Sequence, residues 1–390
     1  MKQGPINWPI FGSISIIASR RTSKDISSDM HKKYGKIVGT YVFNIPMVFI
    51  SGQEESREAL LRDDFADRPD YFNLNIVRGK RLGILLTSGE HWKIQRRFTL
   101  QHLRQLGFGK SSLEWIVKEE IQAVFDGIEE ISGGHKNGFP YPEEIDSHRE
   151  TIDYDQPRDF IDIYLREIEK EKHGLHNAFN DLQLKVLCTE LFMAGTDTTT
   201  NVLSFALLYL ILYPEAQKKM QEEIDQVVGK DRLPSLDDRG RFTYVEAAIQ
   251  EVLRLSSVSP SAFPHSAVTT DKYINFKGYH IPKGSVLLID LYGVHHDPKI
   301  WKHPEMFIPE RFLQMGEKNN QNASIFPFST GKRGCPGETL ARNNIFLFLT
   351  AILQRYTLKV PEGQPQPSQE PDGFTLLFPK PFTVKVQPRS

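Results

Sequence analysis

Cys335, one of the two cysteines in this 390-residue chain, lies in Phe328-Ser-Thr-Gly331-Lys-Arg333-Gly-Cys335-Pro-Gly337, a loop that runs directly into an apolar helical stretch. Glycine at 331 and 337 permits backbone conformations and close approaches that a side chain would block. Arg333 brings a fixed positive charge two residues before the sulfur. Amides at a helix start and a nearby cation both favour thiolate over thiol. An exposed, electron-rich sulfur on a shaped loop suits an axial iron ligand. An isolated cysteine is more often a small buried hydrophobe, but the length of the flanking pattern favours the ligand here.

Other residues carry chemistry by type and spacing. Glu251 and Arg254 lie three apart, on one face of a helix, and Pro309-Glu-Arg311-Phe312 follows downstream. Ala194-Gly195-Thr196-Asp197-Thr198-Thr199 interrupts a long apolar run with a glycine and four polar residues. A glycine there costs about 1 kcal/mol against alanine, and threonine hydroxyls can turn to backbone carbonyls and open the helix locally. A carboxylate beside a hydroxyl suits water-linked proton delivery. Trp92 and Arg96, four apart, share a helix face. His295 and His296 are adjacent and could suggest a metal site.

These residues need a mainly helical frame. Residues 22–34, 53–62, 92–106, 113–130, 160–172, 215–228 and 242–255 show helical apolar spacing, and 339–354 continues from the cysteine loop. Residues 179–212 form one long proline-free stretch that Pro214 ends. Residues 37–51, 273–290 and 374–386 have β-branched and aromatic residues around turn signals. The segment 131–158, dense in Gly, Pro, His and acidic residues, reads as irregular. The fold class is mainly α with a minor β component.

A net charge of −1 argues against nucleic acid as a partner. Two cysteines build no disulfide framework. The chain has no run of about 18 apolar residues that would span a membrane, although Trp8, Ile10, Phe11 and Ile14 form a weakly apolar start suited to a membrane surface.

The cysteine loop, Phe-x-x-Gly-x-Arg-x-Cys-x-Gly, resembles the haem-binding signature of the cytochromes P-450, the haem-thiolate monooxygenases, at every fixed position. The resemblance runs through most of the chain. It is closest to the animal microsomal family two and, through Thr196–Asn201, Pro234–Leu236 and Gly278–Gly284, to the fatty-acid-hydroxylating subfamily U. It implies one haem b with Cys335 as the axial metal ligand. Phe328, Arg333, Trp92, Arg96, His265 and Arg68 would bind this cofactor, the cations pairing with its propionates. Gly195, Asp197 and Thr198 would be the catalytic groove, with space beside the haem and a proton relay. Glu251, Arg254 and Arg311 would form a buried network that fixes the cysteine loop. NADPH-cytochrome reductase would dock near Lys93, Arg97 and Lys332, cytochrome b5 is a second expected partner, and the substrate would be a lipophilic small molecule.

By the same resemblance residues 1–390 form one family domain. It has a residual proline hinge at 1–20, the central oxygen-groove helix at 179–212, and the haem-ligand loop with its helix at 326–354. Two departures stand out. The family's membrane anchor is missing ahead of the hinge, so the endoplasmic-reticulum location on the cytosolic face gives way to a peripheral or cytoplasmic alternative. Several mid-chain helices are missing between Arg96 and Ala194, roughly one sixth of a full-length relative. The loss should leave apolar surface of the central helix uncovered. Three functions follow: an NADPH-dependent monooxygenase, a truncated isoform that binds haem or partners without turnover, and a peroxide isomerase, which the Asp197-Thr198 pair disfavours.

Overall fold

A computed structural model describes residues 4–5, 12–13, 23–70, 76–77, 80–129, 142–171, 178–313 and 325–389. The expected hinge at 1–20 lies outside them except at 4–5 and 12–13. Helices dominate and strands are short, as the composition predicts. The chain divides into two compact units. One comprises residues 1–69, 197–338 and 342–390, and the other residues 70–196 and 339–341.

The first unit is built on a four-stranded sheet. The hairpin β1 (Ile37–Val42) and β2 (Ile45–Ile50) is antiparallel, with Phe43 turning at φ 53°. After the two-residue ladders β3 (Ile76–Val77) and β4 (Lys80–Arg81) of the other unit, β5 (His265–Ser266) returns to this sheet. The hairpin β6 (Tyr273–Phe276) and β7 (Tyr279–Pro282) stands apart, and β8 (Val286–Ile289) lies parallel to β2 and antiparallel to β5. Ile50, Leu287, Ile289 and Phe65 are buried in one cluster beneath the sheet. β-Branched and aromatic residues at these positions pack on the pleat. Ser13 donates its N–H to Tyr41 O at 2.7 Å, adding a little chain to the β1 edge.

Two helices, α1 (Ser23–Tyr34) and α2 (Gln53–Leu61), flank the hairpin in sequence. The second unit has α3 (Gly89–Gln105), α4 (Glu114–Glu129), α5 (Pro142–Thr151) and α6 (Phe160–Glu171). Its core is aromatic: Phe98 meets Tyr164 and Phe179 edge-on, at 5.5 and 4.7 Å between centroids. The expectation of an irregular 131–158 segment is corrected by α5. Proline at its first position needs no N–H partner there, and Ile145, 1% exposed, anchors the helix in this core. Residues 130–141 lie outside the described residues.

The central helix α7 (Asp181–Leu212) has 32 residues, about 48 Å at 1.5 Å each. It is helical without interruption through Gly195–Thr199, so the threonines do not open it. In its first half Glu190 Oε2 accepts the N–H groups of Ile84 and Leu85 at 2.6 and 3.1 Å, and Gln183 Oε1 that of Gly83 at 2.8 Å. The first unit continues with α8 (Pro214–Val227), α9 (Tyr244–Ser256), and the short α10 (Leu291–His295) capped by Asp290. The last helix is α11 (Glu338–Arg355). It runs directly into β9 (Tyr356–Lys359), a strand absent from the sequence reading, which pairs with β12 (Lys385–Pro388). The expected terminal strands are otherwise reduced to the two-residue pair β10 (Pro371–Asp372) and β11 (Phe378–Pro379).

Candidate functional site

Cys335 is exposed and takes part in no disulfide. Its N–H donates to Phe328 O at 2.9 Å, Gly334 N–H to Gly331 O at 3.0 Å, and Ser329 N–H to Phe326 O at 2.8 Å. The loop therefore folds on itself and presents the sulfur outward. Gly331 has φ +74°, and a Cβ there would stand 2.2 Å from Leu60 O, so this position requires glycine. Gly337 has φ −93°, which any residue adopts, and its expected conformational role is not used. The Arg342 guanidinium lies 4.9 Å over the Phe328 ring, fixing the side chain that starts the loop.

Arg333, Arg68 and His265 gather on the segment 65–68. Phe65 O accepts His265 Nδ1–H at 2.7 Å, Ala66 O accepts Arg333 Nε–H at 2.6 Å, and Asp67 O accepts Ser266 N–H at 2.8 Å. Arg68 donates Nη1–H to Phe263 O and Pro264 O at 2.9 and 3.1 Å. All three side chains are buried. Burial, with Arg68 and Arg333 adding repulsion, pushes the His265 pKa down to about 3. A carbonyl can only accept, so neutral His265 carries its proton on Nδ1 and offers Nε2 as an acceptor. It would donate to a carboxylate only after taking a second proton.

Convergent buried cations of this kind suit an anionic guest. Arg333 makes other contacts, yet its Nη1 is a buried donor that no acceptor reaches, and so is Trp92 Nε1 in the second unit. There the Arg96 guanidinium lies over the Trp92 ring at 5.9 Å, as the four-residue spacing predicts. Within the first unit, the soft Cys335 sulfur, the buried Arg68 and Arg333 and the spare Arg333 Nη1–H fit a thiolate-bound haem with anionic propionates. On α7 the residues Phe192 to Asp197 are exposed, and nothing lies within 4 Å of a Cβ placed on Gly195.

The structure brings Glu251, Arg254 and Arg311 together. Glu251 accepts Arg254 Nε–H and Nη2–H at 2.7 and 2.8 Å, and Arg311 Nε–H and Ile308 N–H at 3.0 Å each. Both members of the Glu251–Arg254 pair are fully buried. Arg254 also donates to His295 O and Pro304 O, and Arg311 to Lys302 O and His303 O. The Trp301 ring lies 5.2 Å beneath Arg254. These charges are satisfied on every side, which makes them a rigid clamp on residues 302–308. His295 closes helix α10 rather than lying in a turn and is fully buried, which could not be read from the adjacent-histidine pattern. Of the expected docking cations, Lys93 pairs with Glu90 and Lys332 with Asp63 at the surface.

Among the described residues no helix is long and apolar enough to cross a membrane. The sequence pattern of the family described as Cytochrome P450 matches residues 2–139 and 141–386, breaking at residue 140. Cytochrome P450 2C6 of Rattus norvegicus is 34% identical over 433 positions, covering 91% of this chain and 87% of the relative. Cytochrome P450 2B19 of Mus musculus is 32% identical, covering 92% and 87%. Farnesoate epoxidase of Bombyx mori is 32% identical over 468 positions, covering 99% and 93%. The 433 positions take in 91% of 390 residues, about 355, so about 78 positions of the rat alignment have no residue in this chain. The silkworm alignment, with 99% or about 386 residues in 468 positions, leaves about 82. With its cysteine loop, its buried Glu-Arg-Arg network and its helical frame, the chain belongs to the cytochrome P450 family, a family of haem-thiolate monooxygenases.

Proposed function

We propose that this chain holds one haem b through Cys335 and hydroxylates a fatty acid or a xenobiotic with electrons from NADPH, passed on by NADPH-cytochrome reductase and, in support, cytochrome b5. Thiolate-bound haem supplies the reductive splitting of dioxygen, in which one atom enters the substrate and the other leaves as water with two electrons and two protons. The chain's own residues do the rest. The Cys335 loop holds the sulfur outward, and Phe328, held under Arg342, accepts the Cys335 N–H on its backbone oxygen. Arg68 and Arg333, buried in the first unit, are the cations that would neutralise and orient a propionate, while neutral His265 holds the 65–68 segment on which they gather. Asp197 and Thr198 move protons from water toward the reacting oxygen, and the bare backbone at Gly195 leaves room for substrate and water. The outward-facing Cys335 sulfur on its glycine-pinned loop carries this reading. The endoplasmic-reticulum surface, cytosolic face, is the proposed location.

The test is haem reconstitution followed by carbon monoxide difference spectroscopy of the reduced protein. The intact chain should give the red-shifted Soret band of thiolate ligation, and Cys335→Ser should lose it. Turnover is then followed with reductase, NADPH, long-chain fatty acids and farnesoate, the compound in the silkworm relative's name. Intact spectra without product would overturn the monooxygenase reading. They would favour the second one, a shortened chain that binds haem without turnover, which the roughly 78 unmatched alignment positions support. Measuring product beside a version with the missing stretch restored separates the two.

A further inference from the structure

The buried network of Glu251, Arg254 and Arg311 clamps residues 302–308, and the segment 326–327 that leads into the cysteine loop comes later. His295, at the end of α10, joins them. Arg254 Nη1–H donates to the His295 backbone oxygen at 2.7 Å. On the ring, Phe326 N–H donates to Nε2 at 3.2 Å. A backbone N–H can only donate, so Nε2 carries no hydrogen and the ring proton sits on Nδ1. Nδ1–H donates to Ser257 Oγ at 2.8 Å, and Ser257 O–H passes the bond on to Arg254 O at 2.8 Å. The Phe326 ring also stands edge-on to the imidazole, 5.8 Å between centroids. Both ring nitrogens and the backbone oxygen are thus engaged between α9 and the segment that leads into the loop. From Phe326 the path continues by two short backbone bonds, Ser329 N–H to Phe326 O and Cys335 N–H to Phe328 O.

We propose that His295 is a positioning residue for the thiolate: its neutral ring, locked with the proton on Nδ1, sets the Cys335 loop in register against α9 by accepting the Phe326 amide. The proposal rests on reading Cys335 as the haem ligand. An imidazolium has no lone pair for that amide. Full burial beside Arg254 and His296 keeps the ring uncharged, its pKa far below the usual value.

Two substitutions separate this role from simple packing. In His295→Gln an amide oxygen reaches the place of Nε2 and can still accept the Phe326 N–H. In His295→Asn the shorter amide keeps the Ser257 side of the link and leaves the Phe326 N–H without an acceptor, a penalty specific to that bond. Both variants are reconstituted with haem, checked for fold by circular dichroism, and reduced under carbon monoxide. His295→Gln should keep most of the red-shifted thiolate band. His295→Asn should lose it severalfold in favour of the blue-shifted band of a lost or protonated thiolate, at equal helical content. Equal spectra for the two folded variants overturn the proposal. If the unmodified chain lacks the thiolate band, the haem reading itself has failed, which is a different result. Should neither variant fold, hydrogen exchange of the unmodified chain decides. The Phe326 amide should be as protected as those of Leu253–Ser256 in α9, and exchange at the rate of exposed loop amides overturns the link.

Discussion

At the scale of single residues the chain carries imidazoles held neutral, His265 and His295 buried and His296 half-buried. His265 and His296 are pushed down to about 3, and His295 lies well below its usual value, each chiefly by burial. A histidine depressed in the fold binds fewer protons folded than unfolded. Its stabilising effect is full above its ordinary value of 6.5 and is lost as pH falls toward the folded value. Asp290, fully buried as the cap of α10, has the opposite sign, because burial raises it from 3.8 to about 7. Its effect is full at low pH and lost as pH rises toward 7. Three groups oppose one between these limits, so acid wins. The urea midpoint of the haem-free chain should fall as pH drops from about 7 to about 5. His296→Phe, which keeps the ring stacked on Tyr292 at 3.8 Å, should flatten that fall by about one proton's share, ~1.4 kcal/mol per pH unit. A midpoint that holds steady across this range would mean the imidazoles charge in place.

At the scale of elements, two left-handed glycines separate conformational strain from site geometry. Gly278 closes the β6–β7 hairpin at φ +79°, after Lys277 at φ 50°, with nothing within 4 Å of an added Cβ. Gly331 has nearly the same φ, but its Cβ would strike Leu60 O. Gly278→Ala should therefore cost about 1–2 kcal/mol of stability and leave haem uptake intact. Gly331→Ala should abolish tight haem uptake, because relieving the clash moves the loop that holds Cys335. Unfolding curves and haem titration of the two variants check this, and equal haem affinity would refute it. Elements with clear local patterns, such as α6, α9 and the cysteine loop, were legible in the sequence. Helix α5 was not, because Pro142, His148 and the acidic residues around Ile145 mimic loop composition while one buried isoleucine anchors the helix. Strand β9 was hidden because it follows α11 without a break and its partner lies at 385–388. Cys335, Glu251, Arg254 and Arg311 stood out because their segments match motifs of the family; the spacing of Glu251 and Arg254 alone is also that of an exposed helix pair. His295 did not, because its role depends on an amide 31 residues away and on which ring nitrogen carries the proton.

At the scale of the whole molecule the decisive feature is a stretch of sequence that relatives have and this chain lacks. About 78 aligned positions are unmatched, and the family match breaks at residue 140. The sequence predicted uncovered apolar surface on the central helix, and α7 indeed leaves Phe192 43% and Met193 57% exposed. On α4, Trp115 is 59% exposed. Neighbouring apolar side chains left in water are a liability unless something covers them, at roughly 25 cal/mol for each Å² that could be buried. The resemblance places the missing helices between Arg96 and Ala194, the span that carries α4 and the exposed part of α7, which makes the missing stretch the simplest cover. Inserting the corresponding residues of the rat relative at position 140 should reduce binding of an apolar fluorescent dye, raise the urea midpoint and increase product per haem. Phe192→Ser with Met193→Ser in the short chain should lower dye binding without restoring turnover, because it removes the exposed surface and rebuilds nothing over the groove. If insertion leaves dye binding, stability and product unchanged, the unmatched stretch has no part in covering α7.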